Sequence, residues 1–254
     1  MIPIKTAAEI AIMREVCLAA AIVLSRMVPL VRAGVTTQEL DVAGRDFMKE
    51  LGVESGSYNY KHGRLRFPAH TCISVNDEVV HGVPSPCRAI QPGDVVSLDV
   101  VVRKKGFSGD NACTVLVEPV STEVRALCET TREALYAAID QARAGNRVHD
   151  ISHAVQRHVR FANYGIVEEY VGHGIGRDLH EAPQIPNFGK PGTGALLRPG
   201  MTLAVEPMIT LGAADIVLAA DGWTVRTKDG KPAAHYEHTI LITEGPPEIL
   251  TVTG

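Results

Sequence analysis

Apolar positions recur along this chain with two periods, and the change from one to the other marks out its elements. From the box Thr6-x-x-Glu9, Ile10, Met13, Cys17, Ala20, Leu24 and Met27 fall on one helical stripe, which predicts a helix ending before Pro29 or at Gly34. A second box, Thr36-x-x-Glu39, opens a helix that Gly52 closes. Two more helical stretches run from Thr122 to Arg143, ending at Gly145, and from Asp150 to Asn163, ending near Gly165. Strand-like runs occupy 71–80, 94–102, 107–117, 166–171, 201–210, 214–219 and 236–242, with Pro-Gly or Gly-rich turns at 92–93, 191–194 and 199–200. This order predicts an α+β fold in which largely antiparallel strands form a curved sheet and two helices from each half pack on one face.

The halves are visible as a repeat. Gln91-Pro92-Gly93-Asp94-Val95-Val96-Ser97-Leu98-Asp99 returns as Arg198-Pro199-Gly200-Met201-Thr202-Leu203-Ala204-Val205-Glu206, each ending on an acid. Upstream, Val79-Val80-His81-Gly82-Val83 is echoed by Val171-Gly172-His173-Gly174-Ile175. The duplication suggests two halves of one domain spanning 1–254. A period of two puts Ser97 with Asp99 on one face, and Thr202, Ala204 and Glu206 likewise, while Val96, Leu98, Leu203 and Val205 point the other way. The small and polar side is therefore expected to line a site.

Asp99 and Asp110 give that site its chemistry. A hairpin turning at Arg103-Lys104-Lys105-Gly106 would place the two carboxylates directly opposite each other, where like charges destabilise a sheet unless a cation lies between them. Glu206 lies in the apolar stretch Leu203–Ile209, where an unpartnered carboxylate is costly to bury. With His173 and Glu237 the candidates become four carboxylates and one imidazole. That is too much negative charge for one divalent ion, but it suits two ions that share bridging carboxylates and a bridging water.

Composition narrows the alternatives. With 254 residues and 45% hydrophobic content the chain can bury a large core. A net charge of −4 gives no compositional support for a specific nucleic-acid partner. No run reaches the roughly 18 apolar residues of a membrane span, and Met1-Ile2-Pro3-Ile4-Lys5-Thr6 lacks a secretory layout, so a cytoplasmic protein with no membrane partner is expected. The five cysteines are odd in number and include no Cys-x-x-Cys, against both a disulfide framework and a thiolate zinc site. Most read as buried small hydrophobes. Cys72 and Cys113 lie in apolar runs near the candidate site, but no catalytic-cysteine signature surrounds them.

Four blocks carry a resemblance. Asn76-Asp77-Glu78-Val79-Val80-His81-Gly82, Gly172-His173-Gly174-Ile175-Gly176-Arg177-x-x-His180-Glu181, Gly200-Met201-Thr202-x-Ala204-x-Glu206-Pro207 and Tyr236-Glu237-His238-Thr239 resemble the signature blocks of type I methionine aminopeptidases, of the pita-bread (creatinase/aminopeptidase-like) fold with pseudo-twofold duplicated halves. The resemblance runs from about Ile4 to Leu250. It implies a cytoplasmic hydrolase, expected as a monomer, that removes the initiator methionine from nascent polypeptides when the second residue is small. Two divalent ions (Co, Mn, Fe, Ni or Zn) are implied: Asp99, Asp110 and Glu237 would hold one, Asp110, His173, Glu206 and Glu237 the other. By the same resemblance His81 contacts the scissile amide, His180 stabilises the developing oxyanion, and Glu206 moves the proton from water to the leaving amine. Trp223 would wall the methionine pocket, with His62, Phe67 and Cys72 as further substrate contacts. The segment Tyr58–Pro68 is about two residues longer than the usual family form. Transient ribosome contact could use Lys61, Arg64, Arg66 and Arg103-Lys104-Lys105.

Two other readings compete. A proline-specific aminopeptidase or dipeptidase of the same fold would carry an extra domain before the first block, and only about seventy residues precede Asn76. A non-catalytic pita-bread binding protein should have lost ligands and gained basic tracts, and neither is seen. The type II subfamily carries a helical insertion between the last two acids, where this chain has 30 residues.

Overall fold

The computed structural model describes residues 2–160 and 162–253. Its long helices are α1 (Ala7–Met27), α2 (Thr37–Glu50), α3 (Thr122–Gln141) and α4 (Val148–Val159). Both capping boxes form. The Thr6 and Thr36 hydroxyls accept from the backbone N–H groups of Glu9 and Glu39, whose carboxylates accept in return from the N–H groups of Thr6 and Thr36. Two donors that the helix itself cannot satisfy are thereby satisfied at each start. α3 stops two residues before Arg143, because Ala142 leaves the helical region with ψ at 56°. α4 starts earlier than expected, with Asp150 in its first turn accepting from the Arg147 N–H, and it ends at Val159. Phe161, inside the stretch expected to be helical, lies outside the described residues.

Among the described residues a nine-stranded sheet organises the molecule. In spatial order it runs Glu54–Ser55, Val95–Lys104, Phe107–Leu116, Glu237–Leu241, Thr202–Val205, Gly172–Gly174, Glu181–Ile185, with Cys72–Val75 added beside Val95–Lys104 and Glu248–Ile249 beside Glu237–Leu241. Neighbours pair antiparallel. The order is symmetric about the pairing of Phe107–Leu116 with Glu237–Leu241: in each half the strand that follows Pro-Gly lies between two partners. Val96, Leu98, Val100 and Val102 pack with α1 and α2, while Leu203, Val205, Ile240 and Ile242 pack with α3 and α4. Both helix pairs thus cover one face, as the alternation predicted, and the residues of opposite parity face the other side.

The hairpin register corrects the expectation for the aspartates. Asp99 pairs with Ala112 and Asp110 with Val101, because the turn contains only Lys105 and Gly106, with φ of 51° and 77°. Positive φ at both central residues is the type I′ geometry that matches strand twist, and glycine meets it without strain. The carboxylates are therefore diagonal neighbours on one face, not directly opposed.

Three runs read as single strands are also interrupted. The run 71–80 divides into Cys72–Val75 and Glu78–Val80 around Asn76, which has φ of 60°. The run 201–210 divides at Glu206-Pro207, since proline has no N–H for the ladder. Met208–Thr210 then joins a second sheet with Ala233–His235 and Gly165–Ile166. The chain returns from that sheet to the large one at Tyr236, so Glu206 and Glu237 both stand where the backbone steps between sheets. Of 166–171 only Ile166 is in a strand, Gly165–Ile166, and His173 has its own short strand, Gly172–Gly174. The two His-Gly phrases are thus not equivalent: His173 lies in the large sheet, whereas His81 follows Glu78–Val80 with φ of 57°.

α1 lies close enough to the Phe107–Leu116 strand that a Cβ on Gly109 would stand 2.9 Å from the backbone N and Cα of Cys17. Gly109→Ala is accordingly expected to cost about 1–3 kcal/mol through overpacking. The thermal midpoint should fall by roughly 2–4 °C per kcal/mol, and an unchanged melt would show that the helix can yield at no cost.

Candidate metal centre

The five predicted donors all line one cavity of about 480 Å³. Asp99 and Asp110 come from the hairpin, His173 from its short strand, and Glu206 and Glu237 from the two steps between sheets. Ligand atoms of Asp110, His173 and Glu237 lie within 4.8 Å of one another, as do those of Glu206, His235 and Glu237. Glu237 belongs to both groups. The Nε2 of His173 is 3.4 Å from Oε1 of Glu206, and the Nε2 of His235 is 3.5 Å from Oε2. Glycines on either side of His173 are obligatory, since a Cβ on Gly172 or Gly174 would run into the carbonyl oxygens of Ala204 or Ala182 on the neighbouring strands. The Nδ1 of His173 lies 2.9 Å from the Gly174 carbonyl, which can only accept. The ring therefore carries a proton on Nδ1 and turns Nε2 toward the carboxylates.

Asp99 Oδ1, Asp110 Oδ1, Glu237 Oε1 and His235 Nε2 are buried and find no hydrogen-bond partner among the described residues. Burial, then the charges of Asp99 and Glu206, pushes Asp110 well above the usual carboxylate range, and burial with Asp110, Glu206 and Asp99 does the same to Glu237. Asp99 is pushed up to about 6, by burial first and with Glu206 adding to it. Glu206 is the exception: burial opposes its ionisation, but His235, His173 and His180 outweigh that and hold it below the ordinary value. Orphaned, mutually repelling oxygens beside imidazole nitrogens are a donor set that fits divalent first-row ions, which would satisfy the lone pairs and neutralise the charge.

The substrate-contact residues meet in the same cavity. Phe67 and Trp223 pack edge to face with ring centres 5.3 Å apart, His62 lies 6.2 Å from Trp223, and buried Cys72 completes the wall with Tyr60 and Val83. Burial, then Asp99, raises the Cys72 thiol well above its usual value, which removes the thiolate a nucleophile needs. Cys113 faces the helices, packed against the core of α1 and α2. Cys17, Cys72 and Cys128 are buried, Cys113 is partly so and Cys87 is exposed. His81 rests against Tyr170 at 5.4 Å, and burial lowers its pKa to about 4. His180 stands at the exposed mouth with Nδ1 2.6 Å from the Tyr60 hydroxyl and its ring 4.4 Å from that of His173. Enclosure of the ring, then His173, lowers its pKa to about 4.

Among the described residues, Tyr60, Tyr170 and His235 are additions to the expected site that touch its titratable groups. Tyr60 lies in the atypical 58–68 segment, and nothing in the local pattern marks Tyr170. His235 had a signal, since it precedes Glu237 by two and a strand period of two gives both the same side.

Residues 11–244 match the model of metallopeptidase family M24. The chain is 42% identical over 251 residues to methionine aminopeptidase 1 of Bacillus subtilis (strain 168), covering 99% of each. It superposes on a crystal structure of methionine aminopeptidase from Thermotoga maritima with a TM-score of 0.95 and 42% identity, covering all of both chains. The prolidase from Pyrococcus furiosus shares the fold at a TM-score of 0.80, with 24% identity over 99% of this chain and 66% of that one. The site built from the sequence upward and these likenesses agree: the chain belongs to metallopeptidase family M24 and, within it, to the methionine aminopeptidases.

Proposed function

We propose that this chain hydrolyses the peptide bond after an N-terminal methionine, on nascent proteins and peptides whose second residue is small, using two divalent ions held by Asp99, Asp110, His173, Glu206 and Glu237. One observation carries the reading: orphaned carboxylate oxygens and an apolar aromatic wall share a cavity and adjoin at Cys72, the cross-strand partner of Asp99. A soft pocket of aromatic edges and a buried thiol suits an unbranched thioether side chain. When bound, the ions would polarise the scissile carbonyl and bring the pKa of water near 7. Cobalt, manganese, iron, nickel and zinc all accept this mixture of carboxylate and imidazole donors.

The chain's own groups supply the remainder. Glu206, ionised at neutral pH, can take a proton from water and return it to the departing amine. His81 is neutral there and suited to contact the scissile amide. With the Tyr60 O–H as donor to Nδ1 of His180, 2.6 Å away, the neutral ring would carry its proton on Nε2, free to bond a developing oxyanion. The reading includes action as a monomeric, single-domain cytoplasmic enzyme with transient ribosome contact. Lys61, Arg64 and Arg66 are exposed on the 61–66 hairpin for such contact, whereas Lys104 and Lys105 are already paired with Glu15. No helix among the described residues is long and apolar enough to cross a membrane.

Mass spectrometry of Met-Gly, Met-Ala, Met-Leu and Met-Pro-Gly peptides after incubation with metal-loaded protein tests the proposal. Methionine should leave Met-Gly, Met-Ala and Met-Pro-Gly and stay on Met-Leu. Trp223→Ala should raise KM roughly tenfold or more with a much smaller change in kcat, since it removes wall contacts made equally in ground and transition states. Cleavage confined to Xaa-Pro bonds, or no turnover with any of the five ions, would overturn the assignment.

A further inference from the structure

We propose that His235 is a sixth donor to the metal centre, ligating through Nε2 an ion held together with Glu206 and Glu237, so that the centre takes two imidazoles instead of one. The inference rests on the metallopeptidase reading and extends its ligand set.

The ring is placed, not merely buried. His235 is 2% exposed. Its backbone N–H donates to the Thr114 hydroxyl at 3.0 Å, and that hydroxyl donates to the His235 carbonyl at 2.8 Å. Ser97, 2.8 Å from the same hydroxyl, fixes it from the far side. The next residue, Tyr236, turns the opposite way, bonding the Thr114 carbonyl at 3.0 Å and packing against the core of α3 and α4. His235 and Glu237 are thereby both directed toward Glu206.

What Nε2 meets there is telling. It is a buried ring nitrogen without a hydrogen-bond partner among the described residues, in the company of Asp99 Oδ1, Asp110 Oδ1 and Glu237 Oε1. An orphan of this kind is costly unless something outside the polypeptide satisfies it. Its 3.5 Å from Glu206 Oε2 exceeds the 2.7–3.2 Å of a normal N–H···O bond. Donors about 2.1 Å from a tetrahedral ion stand about 3.4 Å from each other. His173 stands 3.4 Å from the other oxygen of Glu206, so the two imidazoles bracket one carboxylate at matching ligand-to-ligand distances. A second imidazole shifts the ion's preference toward cobalt, nickel and zinc and away from manganese and magnesium.

Proton NMR of the cobalt(II)-saturated protein in water decides it, because each imidazole bound to cobalt shows a strongly shifted, solvent-exchangeable ring N–H. Wild type should show two. His235→Ala should leave one, and His173→Ala should leave the other. A single wild-type signal that disappears in His173→Ala overturns the role of His235 while leaving the centre intact, and no shifted signal at all overturns the metallopeptidase reading itself. The wild-type count does not depend on whether either variant folds. Calorimetric titration with cobalt(II) adds a second measure: where circular dichroism shows the variant folded, His235→Ala should bind roughly 10–100-fold more weakly, and equal affinity overturns the proposal.

Discussion

Glu206→Gln is expected to fold like the wild type and to lower kcat on Met-Ala-Ser by roughly 10²–10⁴-fold at saturating metal, the range for loss of a positioned general base. Glutamine keeps the shape of the side chain and one oxygen for an ion, but it cannot accept a proton. Among the four acids Glu206 alone is held below the ordinary carboxylate value, with His235 first among the groups that offset its burial, whereas Asp110 and Glu237 are driven toward the protonated form by burial and one another. The base needed at neutral pH is therefore the acid the imidazoles surround. Because Glu206 also belongs to the donor set, cobalt(II) affinity of the variant should be measured alongside. Turnover like that of wild type, with ion bound, would remove Glu206 from proton transfer.

Much of this site could be read from strand parity. Once Val96 and Leu98 were recognised as core, Asp99 had to face away from it, and Leu203 and Val205 imposed the same on Glu206; the packing of both sets against helices bears this out. The register of the aspartate hairpin was not legible, because a basic run ending in glycine admits turns of different length. Only the left-handed pair Lys105-Gly106 selects the two-residue form. Nor does the run 201–210 disclose the step between sheets at Pro207, since apolar character continues through it and only the pairing partners change; the step at Tyr236 falls where the run 236–242 begins, and the short strand before it, Ala233–His235, has no run of its own. Those steps bring Glu206, His235 and Glu237 together: the two-residue spacing already hints that His235 shares a side with Glu237, but their convergence on Glu206 from strands of different sheets shows only in three dimensions. The two His-Gly phrases mislead in a related way: similar letters serve a sheet strand in one half and a left-handed turn in the other.

Removing metal is expected to destabilise the protein most at alkaline pH. Asp99, Asp110 and Glu237 have folded pKa values above those of free carboxyls, so their contribution to stability is complete below about pH 4 and is lost as pH rises through the folded values, about 6 for Asp99. Chelator-treated protein should thus lose stability from these three groups between pH 5 and 8. Bound ions reverse the sign, since ionised carboxylates are then ligands. At a free ion concentration 1,000 times Kd the gain is about 4 kcal/mol, or roughly 8–16 °C in Tm for a chain of this size. Calorimetry of chelated and cobalt-loaded protein at pH 5 and pH 8 should show the two melts diverging at the higher pH. Salt-bridged surface acids such as Glu15 titrate with the opposite sign, so Asp110→Asn isolates the cluster. That variant relieves repulsion on Asp99 and Glu237 and deletes a donor, so its metal-free form should melt above metal-free wild type at pH 8 and gain much less from cobalt. Equal melts for chelated and loaded wild type at both pH values, or an Asp110→Asn variant that responds to cobalt as wild type does, would mean that these carboxylates do not form an ion-binding unit.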